Sequence, residues 1–522
     1  MTKPAKVDVV IVGAGAAGSV LAAKLAQAGK RVVVLEAGPP RTQADLYSSQ
    51  IWARRVKWGG PPVLSGGTHP VSHNFNAGWG FGGAAAHHYA CWFRLHAQDF
   101  KVSSLFGKGV DWPIEYDQLR PFYDQIQREV GVSGDTKGEV WRPKGEPYPM
   151  PALTGFRHGE IIASGFTKLG MRTALMPHAI NSTAYMGRPA CLYDGWCDAG
   201  CPIGALANPL AVYLAQARAA SAELRAHSHV TRVLTNARGD RATGVEYYDS
   251  KGMRQVQEAT AVILAAFTVQ TPRILLNSVA AGHPRGLANS SGLVGHYLHV
   301  HISGSIFGLF NEDTQNTLGV TGGSHFTQDR YEKDPKRGFV GSYQWLIATA
   351  LKPNDLLGIA NARTDLFGEE LHTFMHKAVR GLGTMALVGE SIPLSQNRVE
   401  LSKEKDPYGF PLARAVHSFG PDALALYEHT KGEGLSVFKA AGATQAWAGR
   451  MAQQHIMGGV IMGDSPERSV TNSYGRAHDL PNLFIAGPST FPSPGAVNPT
   501  FTIHALAVRT AGHLLKNWSS LT

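Results

Sequence analysis

Residues 7–12 read VDVVIV, a short apolar run rich in β-branched side chains, and GAGAAG follows at once. A helical pattern then runs through SVLAAKLAQAG, and KRVVVLEAG brings a second buried strand that ends in Glu36. Strand, glycine turn, helix and strand make one βαβ unit of a parallel sheet. Gly13 permits the tight turn, Gly15 lets the backbone approach a pyrophosphate, and Gly18 allows close helix–strand packing. The helix N-terminus turns free N–H groups and a partial positive charge toward that pyrophosphate. Glu36 lies 18 residues beyond Gly18, placed to hydrogen-bond ribose hydroxyls. The unit predicts dinucleotide binding on an α/β fold.

A 522-residue chain can bury a large core and is long enough for two or more domains. With 43% hydrophobic and 17% charged residues it is globular and not disordered. The formal charge is +10, from 49 basic and 39 acidic side chains, but no long Lys/Arg run concentrates it, so no nucleic-acid partner is expected. No stretch of eighteen or more apolar residues appears, and no transmembrane segment is expected. The opening MTKPAKVDVV passes directly into a strand without a signal-peptide pattern, which taken alone predicts a cytosolic chain.

Residues 40–150 are rich in loops, with one clear helix at YDQLRPFYDQIQREVGV. Residues 207–280 return to α/β character, with a helix at NPLAVYLAQARAA, strands in AELRAHSHVTRVLTN, RATGVEYYD and ATAVILAA, and a helix through TPRILLNS. Residues 300–450 mix strand-like alternation (NRVELS, PLARAVHSF) with the helix PDALALYEHTKGEGLSVFKAAG. Near the end, LPNLFIAGPST reads as a strand and glycine turn, followed by the helix TFTIHALAVRTAGHLL. The alternation of blocks predicts one discontinuous nucleotide domain with a second domain inserted into it. The glycine fingerprint does not separate NAD from FAD. The late strand and helix do favour FAD, because a nicotinamide domain completes its fold within a much shorter stretch.

Three of the four cysteines crowd into CLYDGWCDAGCPIGA, as Cys191-x5-Cys197-x3-Cys201 with Pro202 next; Cys91 stands apart. A disulfide would leave one thiol over. Structural zinc would need a fourth ligand from elsewhere. An iron–sulfur cluster suits closely spaced thiolates with Pro after a ligand, and three cysteines suit a [3Fe-4S] cluster.

Four regions together resemble the glucose-methanol-choline family of FAD oxidoreductases: VIVGAGAAGSVLAAKLAQAGKRVVVLEAG, GFGGAAAHHYACWFR, AAFTVQTPRILLNS, and QQHIMGGVIMG with AGPSTFPSPGAVNPTFTIHALA. The chain is most similar to catalytic subunits of multi-subunit bacterial FAD sugar and polyol dehydrogenases. The resemblance implies a discontinuous Rossmann-like FAD domain and an α+β substrate domain on an antiparallel sheet. The implied segments are 1–150, 207–300 and 451–522 for the FAD domain, 151–206 for a cluster-binding segment and 301–450 for the substrate domain. It implies His455 and Asn498 as the pair that handles the substrate hydroxyl, a neutral imidazole serving as base. It implies further FAD contacts at Gly82, Gly83, His87, Val230, Gly487 and Pro499, with Asn498 also at the flavin. In several family members a histidine at the offset of His87 is bonded covalently to the flavin; others keep it unbonded.

The resemblance also implies that Cys191, Cys197 and Cys201 hold a [3Fe-4S] cluster that relays electrons to a cytochrome or other external acceptor. No C-x-x-C-H motif occurs, so no c-type haem is attached to this chain. The resembling enzymes pair with a small chaperone-like subunit whose export signal carries the catalytic chain, which implies a periplasmic or inner-membrane-associated location. The expected substrate is a sugar, glycoside or polyol. The competing reading is an oxidase of the same fold that reduces O2 to peroxide, its cysteines structural.

Overall fold

The computed structural model describes residues 5–57 and 59–521. The apolar strand Val7–Val12 lies between Val32–Leu35 and the far half of Arg254–Leu264, parallel to both. Glu223–Arg225 extends the sheet beyond Val32–Leu35, and Leu483–Ile485 closes the other side against Arg254–Leu264. Helices cover this parallel core, which is why its strands read as unbroken apolar runs rather than alternating ones. The near half of Arg254–Leu264 pairs antiparallel with Ala242–Tyr248, and that strand with His229–Thr235. Helix Ala16–Gln27 packs against Thr500–Lys516 and Tyr213–Ala219. Strands from both ends of the chain therefore build one nucleotide domain, as the resemblance implies.

The second sheet has eight strands, and its ladders are antiparallel. Five strands fall between residues 305 and 448. The others are Ala174–Leu175, His299–Ser303 and Ala452–Met457. The long helix Pro421–Ala441 lies across it beside Arg157–Lys168. Phe166, Trp345, Met385, Leu426 and Phe438 fill the space between them. A third, three-stranded sheet joins Arg398–Lys405 and Pro411–Val416 to Leu64–Gly66.

The helix expected over NPLAVYLAQARAA begins only at Tyr213. Asn208 explains the delay, because its side-chain oxygen accepts from the Ala211 N–H and holds the preceding residues in turns. Helices Arg157–Lys168 and Gly368–Gly381 were not legible. Each starts after a phenylalanine that makes no side-chain cap, so the usual start signal is missing.

Candidate active site

The glycine turn after Val7–Val12 bends as the fingerprint requires. Gly13 has φ +100°, and a Cβ there would lie 2.5 Å from the Ala265 carbonyl oxygen. A Cβ on Gly18 would lie 2.0 Å from the Gly13 oxygen, so the helix sits against the turn only because that atom is absent. At Gly15 the nearest neighbour of such a Cβ is Gly83 Cα, 3.9 Å away, and both residues face a cavity of about 280 Å³. That open cradle at a helix N-terminus is what a pyrophosphate needs.

The cavity brings together Gly13, Gly15, Glu36, Gly83, His87, Val230, Gly487, His455, Asn498 and Pro499. Gly18 and Gly82 stand behind its wall. Gly82 has φ +94° and donates its N–H to the Ala14 carbonyl, fastening the flavin loop to the glycine turn. Glu36 is buried, and its carboxylate accepts from the N–H groups of Ala14, Gly38 and Gly80 at 2.9–3.1 Å. Burial pushes its pKa up and the three donors oppose that. The side chain thus knots together the turn, the second strand and the flavin loop while still lining the cavity. His87 Nε2 lies 3.1 Å from the Ala77 carbonyl, and burial lowers its pKa to about 4. A carbonyl only accepts, so Nε2 carries the hydrogen and Nδ1 keeps the lone pair.

His455 owes its position to an irregularity in the ladder. Gln454 pairs with His301, but the next register pair is Met457 with His299, so the strand holds one extra residue. In a regular ladder residue 455 would project from the face opposite His301. The bulge, with His455 at φ +58°, turns it to meet His301 instead. Asn76 Oδ1 accepts the His455 N–H at 2.9 Å and satisfies a group the bulge removes from the ladder.

The tautomers follow from the partners. His301 Nε2 lies 2.9 Å from the Gly495 carbonyl, so it carries a hydrogen and its Nδ1 is an acceptor. That Nδ1 lies 2.8 Å from His455 Nδ1, which must donate. His455 Nε2 is left with a lone pair at the cavity, 3.3 Å from Asn498 Nδ2. Burial lowers the His455 pKa to about 4 and, aided by His455 itself, that of His301 to about 3. Both rings are neutral at pH 7. The Asn498 amide is oriented from behind, since its Oδ1 accepts from Gln344 Nε2 at 3.5 Å and Gln344 Oε1 accepts from Gln328 at 2.8 Å. His301 has no motif of its own and escaped sequence reasoning. His504, on the helix Thr500–Lys516, lies outside the cavity with Nδ1 2.7 Å from the Thr500 carbonyl.

A family model described as GMC oxidoreductase matches residues 7–303, and a second of the same description matches residues 393–507. This chain belongs to the GMC oxidoreductase family. It is 30% identical to a 2-methyl-1,2-propanediol dehydrogenase of Mycolicibacterium austroafricanum, over 100% of this chain and 97% of the relative. It is also 30% identical to the fructose dehydrogenase large subunit of Gluconobacter japonicus, over 98% of both. Among solved structures, a formate oxidase from Aspergillus oryzae superposes with a TM-score of 0.70 at 14% identity, covering 100% of both chains, which supports the fold. As a GMC oxidoreductase the chain is an FAD-dependent enzyme of CH–OH groups, and the glycine cradle fits that cofactor.

The cysteine segment adjoins the cavity. Cys191, Cys197 and Cys201 are free thiols, Cys197 buried and the other two partly exposed. Cys191 Sγ accepts from the Tyr193 N–H at 3.3 Å and Cys201 Sγ from the Leu206 N–H at 3.4 Å. Tyr193, Gly195, Gly200, Cys201 and Gly204 all have positive φ, which winds the loop so that backbone donors face sulfur. Thr321 lines the cavity, donates its hydroxyl to the Gly195 carbonyl at 2.8 Å and reaches Cys197. Trp196 is partly buried, with Lys352 Nζ 5.6 Å from its ring centre, and Leu192 in the same loop is 66% exposed. Among the described residues no group of three or more His, Cys, Asp or Glu is arranged to hold a single metal ion. A cluster asks for a different arrangement, in which each thiolate binds its own iron and N–H donors stabilise the sulfurs. Two of the three sulfurs here accept such an N–H.

Proposed function

We propose that the chain is a dehydrogenase that oxidises a hydroxyl of a sugar, glycoside or polyol, with His455 as base. The observation that carries this is the lone pair of His455 Nε2 beside Asn498 Nδ2 at the cavity wall. The glycine cradle would hold FAD, which would supply a two-electron acceptor for hydride. A substrate hydroxyl seated between the two side chains gives its proton to His455 Nε2. Asn498 Nδ2 then donates to the oxygen as charge develops there. His301 holds the proton on His455 Nδ1, so Nε2 stays the basic atom. Holding the hydroxyl at two points also aims the C–H bond, an orientation effect of several kcal/mol, on the order of the proximity advantage. The relatives named for 2-methyl-1,2-propanediol, fructose and gluconate support a small hydroxylated substrate.

Cys191, Cys197 and Cys201 would hold a [3Fe-4S] cluster, which supplies one-electron transfer to an external acceptor. Support comes from the free thiols, the N–H donors on sulfur, and Thr321, which joins Cys197 to the cavity wall. Two relatives are named as a large subunit and a flavoprotein, names that suit parts of larger assemblies. A small accessory subunit and a cytochrome c-type acceptor are the partners in this reading, with a periplasmic or inner-membrane-associated location through them. Among the described residues no helix is long and apolar enough to cross a membrane.

The test is an anaerobic screen of sugars, glycosides and polyols that follows flavin bleaching, together with iron and acid-labile sulfide analysis. Bleaching by such a compound, with about three irons per FAD as expected for the cluster, supports the reading. Full FAD occupancy without iron overturns the relay and leaves the oxidase alternative.

A further inference from the structure

A second cavity, of about 170 Å³, shares Tyr89, Thr321, Thr349 and Ala386 with the flavin cavity and is lined in addition by Lys352, Asp198 and Asp355. It has room for roughly 11 to 17 water-sized positions at 10–15 Å³ each. Its lining is unlike that of the apolar flavin cavity. Lys352 Nζ stands 3.4 Å from Asp198 and 3.3 Å from Asp355, and donates to the Gly195 carbonyl at 3.3 Å. One polar atom in the wall, Thr384 Oγ1, is buried without a hydrogen-bond partner, and Asp198 Oδ1 has only the ion pair with Lys352. Thr384 is 4% exposed and Asp198 7%. A buried hydroxyl left without a partner is costly, so Thr384 Oγ1 is poised for something that enters the cavity.

We propose that this cavity is a subsite for the hydroxyl groups of a neutral polyhydroxylated substrate that are remote from the carbon being oxidised. The inference rests on the dehydrogenase reading and adds to it a determinant of substrate length. A hydroxyl both donates and accepts: it can donate to Asp198 Oδ1, accept from Lys352, and do either with Thr384. Both signs are already present and paired: Lys352 faces Asp198 and Asp355, and Lys57, with Arg54 near it, lies in the field of the same carboxylates. A charged ligand would unbalance this buried group, whereas neutral hydroxyls satisfy it. The cavity adjoins the one that holds His455 and Asn498, so one linear or ring substrate can occupy both.

The test compares wild type with Thr384→Val and Thr384→Ser. Flavin reduction by 1,2-propanediol, which is too short to fill the cavity, is measured against reduction by five- and six-carbon polyols and hexoses. Valine keeps the volume and removes only the hydroxyl. The expected result is a fall of roughly 3- to 10-fold in the ratio of kcat/KM for the long substrates to that for the short one, the worth of one hydrogen bond. The loss should lie mainly in KM, and serine should restore most of it. Lys352→Gln should lower the same ratio. An unchanged ratio in both Thr384→Val and Lys352→Gln overturns the subsite while leaving the dehydrogenase reading intact. A preference of the wild type for aldonates or amino sugars over neutral polyols overturns the neutral class. If no hydroxyl compound bleaches the wild-type flavin, it is the dehydrogenase reading that fails.

Discussion

His301 Nδ1 lies 2.8 Å from His455 Nδ1, and the Gly495 carbonyl behind His301 decides which ring holds the shared hydrogen. The direction of that one hydrogen bond makes the cavity-facing nitrogen of His455 a base. Replacing His301 with leucine frees His455 to adopt the other tautomer. Flavin reduction should slow on the order of 10²-fold, within the range for misplaced acid–base groups. His301→Gln, which can still accept the hydrogen, should recover part of the rate. Stopped-flow bleaching with FAD content checked alongside gives the answer, and equal rates in all three proteins would remove His301 from the mechanism.

His455→Ala and Asn498→Ala should each leave FAD bound and lower the rate of flavin reduction, the first by about 10²- to 10⁴-fold. The His455 pKa is lowered to about 4 by burial, so the wild-type rate should stay level from pH 6 to 8 and decline only on approach to that value. A midpoint near the ordinary imidazole pKa would show that substrate access rehydrates the ring.

The last two glycines of the fingerprint should respond differently to alanine. A Cβ at Gly15 meets nothing closer than 3.9 Å, and its φ of −81° is ordinary, so Gly15→Ala should fold yet lose FAD affinity through the methyl placed in the cradle. Gly18→Ala drives its Cβ to within 2.0 Å of a backbone oxygen and should lower the melting temperature of the apoprotein as well. Absorbance at 450 nm and thermal unfolding separate the two outcomes.

On the proposed cluster reading, Cys197→Ser should abolish iron binding and spare flavin reduction by substrate, because Thr321, and not the thiol it touches, lines the cavity. Transfer of electrons to an external one-electron acceptor should fall with the iron. Loss of flavin bleaching at full FAD occupancy would show that the segment shapes the cavity.

Stability should fall in acid. Burial lowers the pKa of His88, His158, His299 and His301 to about 3 and of His178 and His504 to about 4. The unfolded chain takes up protons near pH 6.5 and the folded chain does not. Each such histidine therefore favours the fold above that pH, and its contribution is lost as pH falls toward the folded value, by about 1.4 kcal/mol per pH unit. The melting temperature should drop steeply between pH 6.5 and 4.5 and hold nearly level between pH 7 and 8.

What could be read from the sequence was local. Gly13, Gly15, Gly18 and Glu36 fall within one βαβ unit, where spacing dictates geometry, and His455 and Asn498 sit in recognisable motifs. His301 lies 154 residues from its partner and is brought there by an antiparallel ladder with a bulge, which no periodicity announces. Thr384 and Lys352 meet Asp198 only because the strand Leu382–Gly389 and the loop after Tyr343–Ile347 converge on the cysteine segment. The spacing of Glu36 predicts a ribose ligand, whereas its three backbone N–H partners depend on the loop that carries Gly80, which the spacing does not place.

The positive φ of His455 narrows which residues can ever stand there. Histidine, asparagine and aspartate tolerate the left-handed region far better than β-branched side chains do. A chain that loses its base through Asn keeps the bulge; one that loses it through Val or Ile strains the backbone and shifts Gln454 and Met457 as well. His455→Asn is therefore the variant in which to capture an unreacted substrate complex. Drift at this position has few cheap exits: the geometry that aims the imidazole also restrains its replacement.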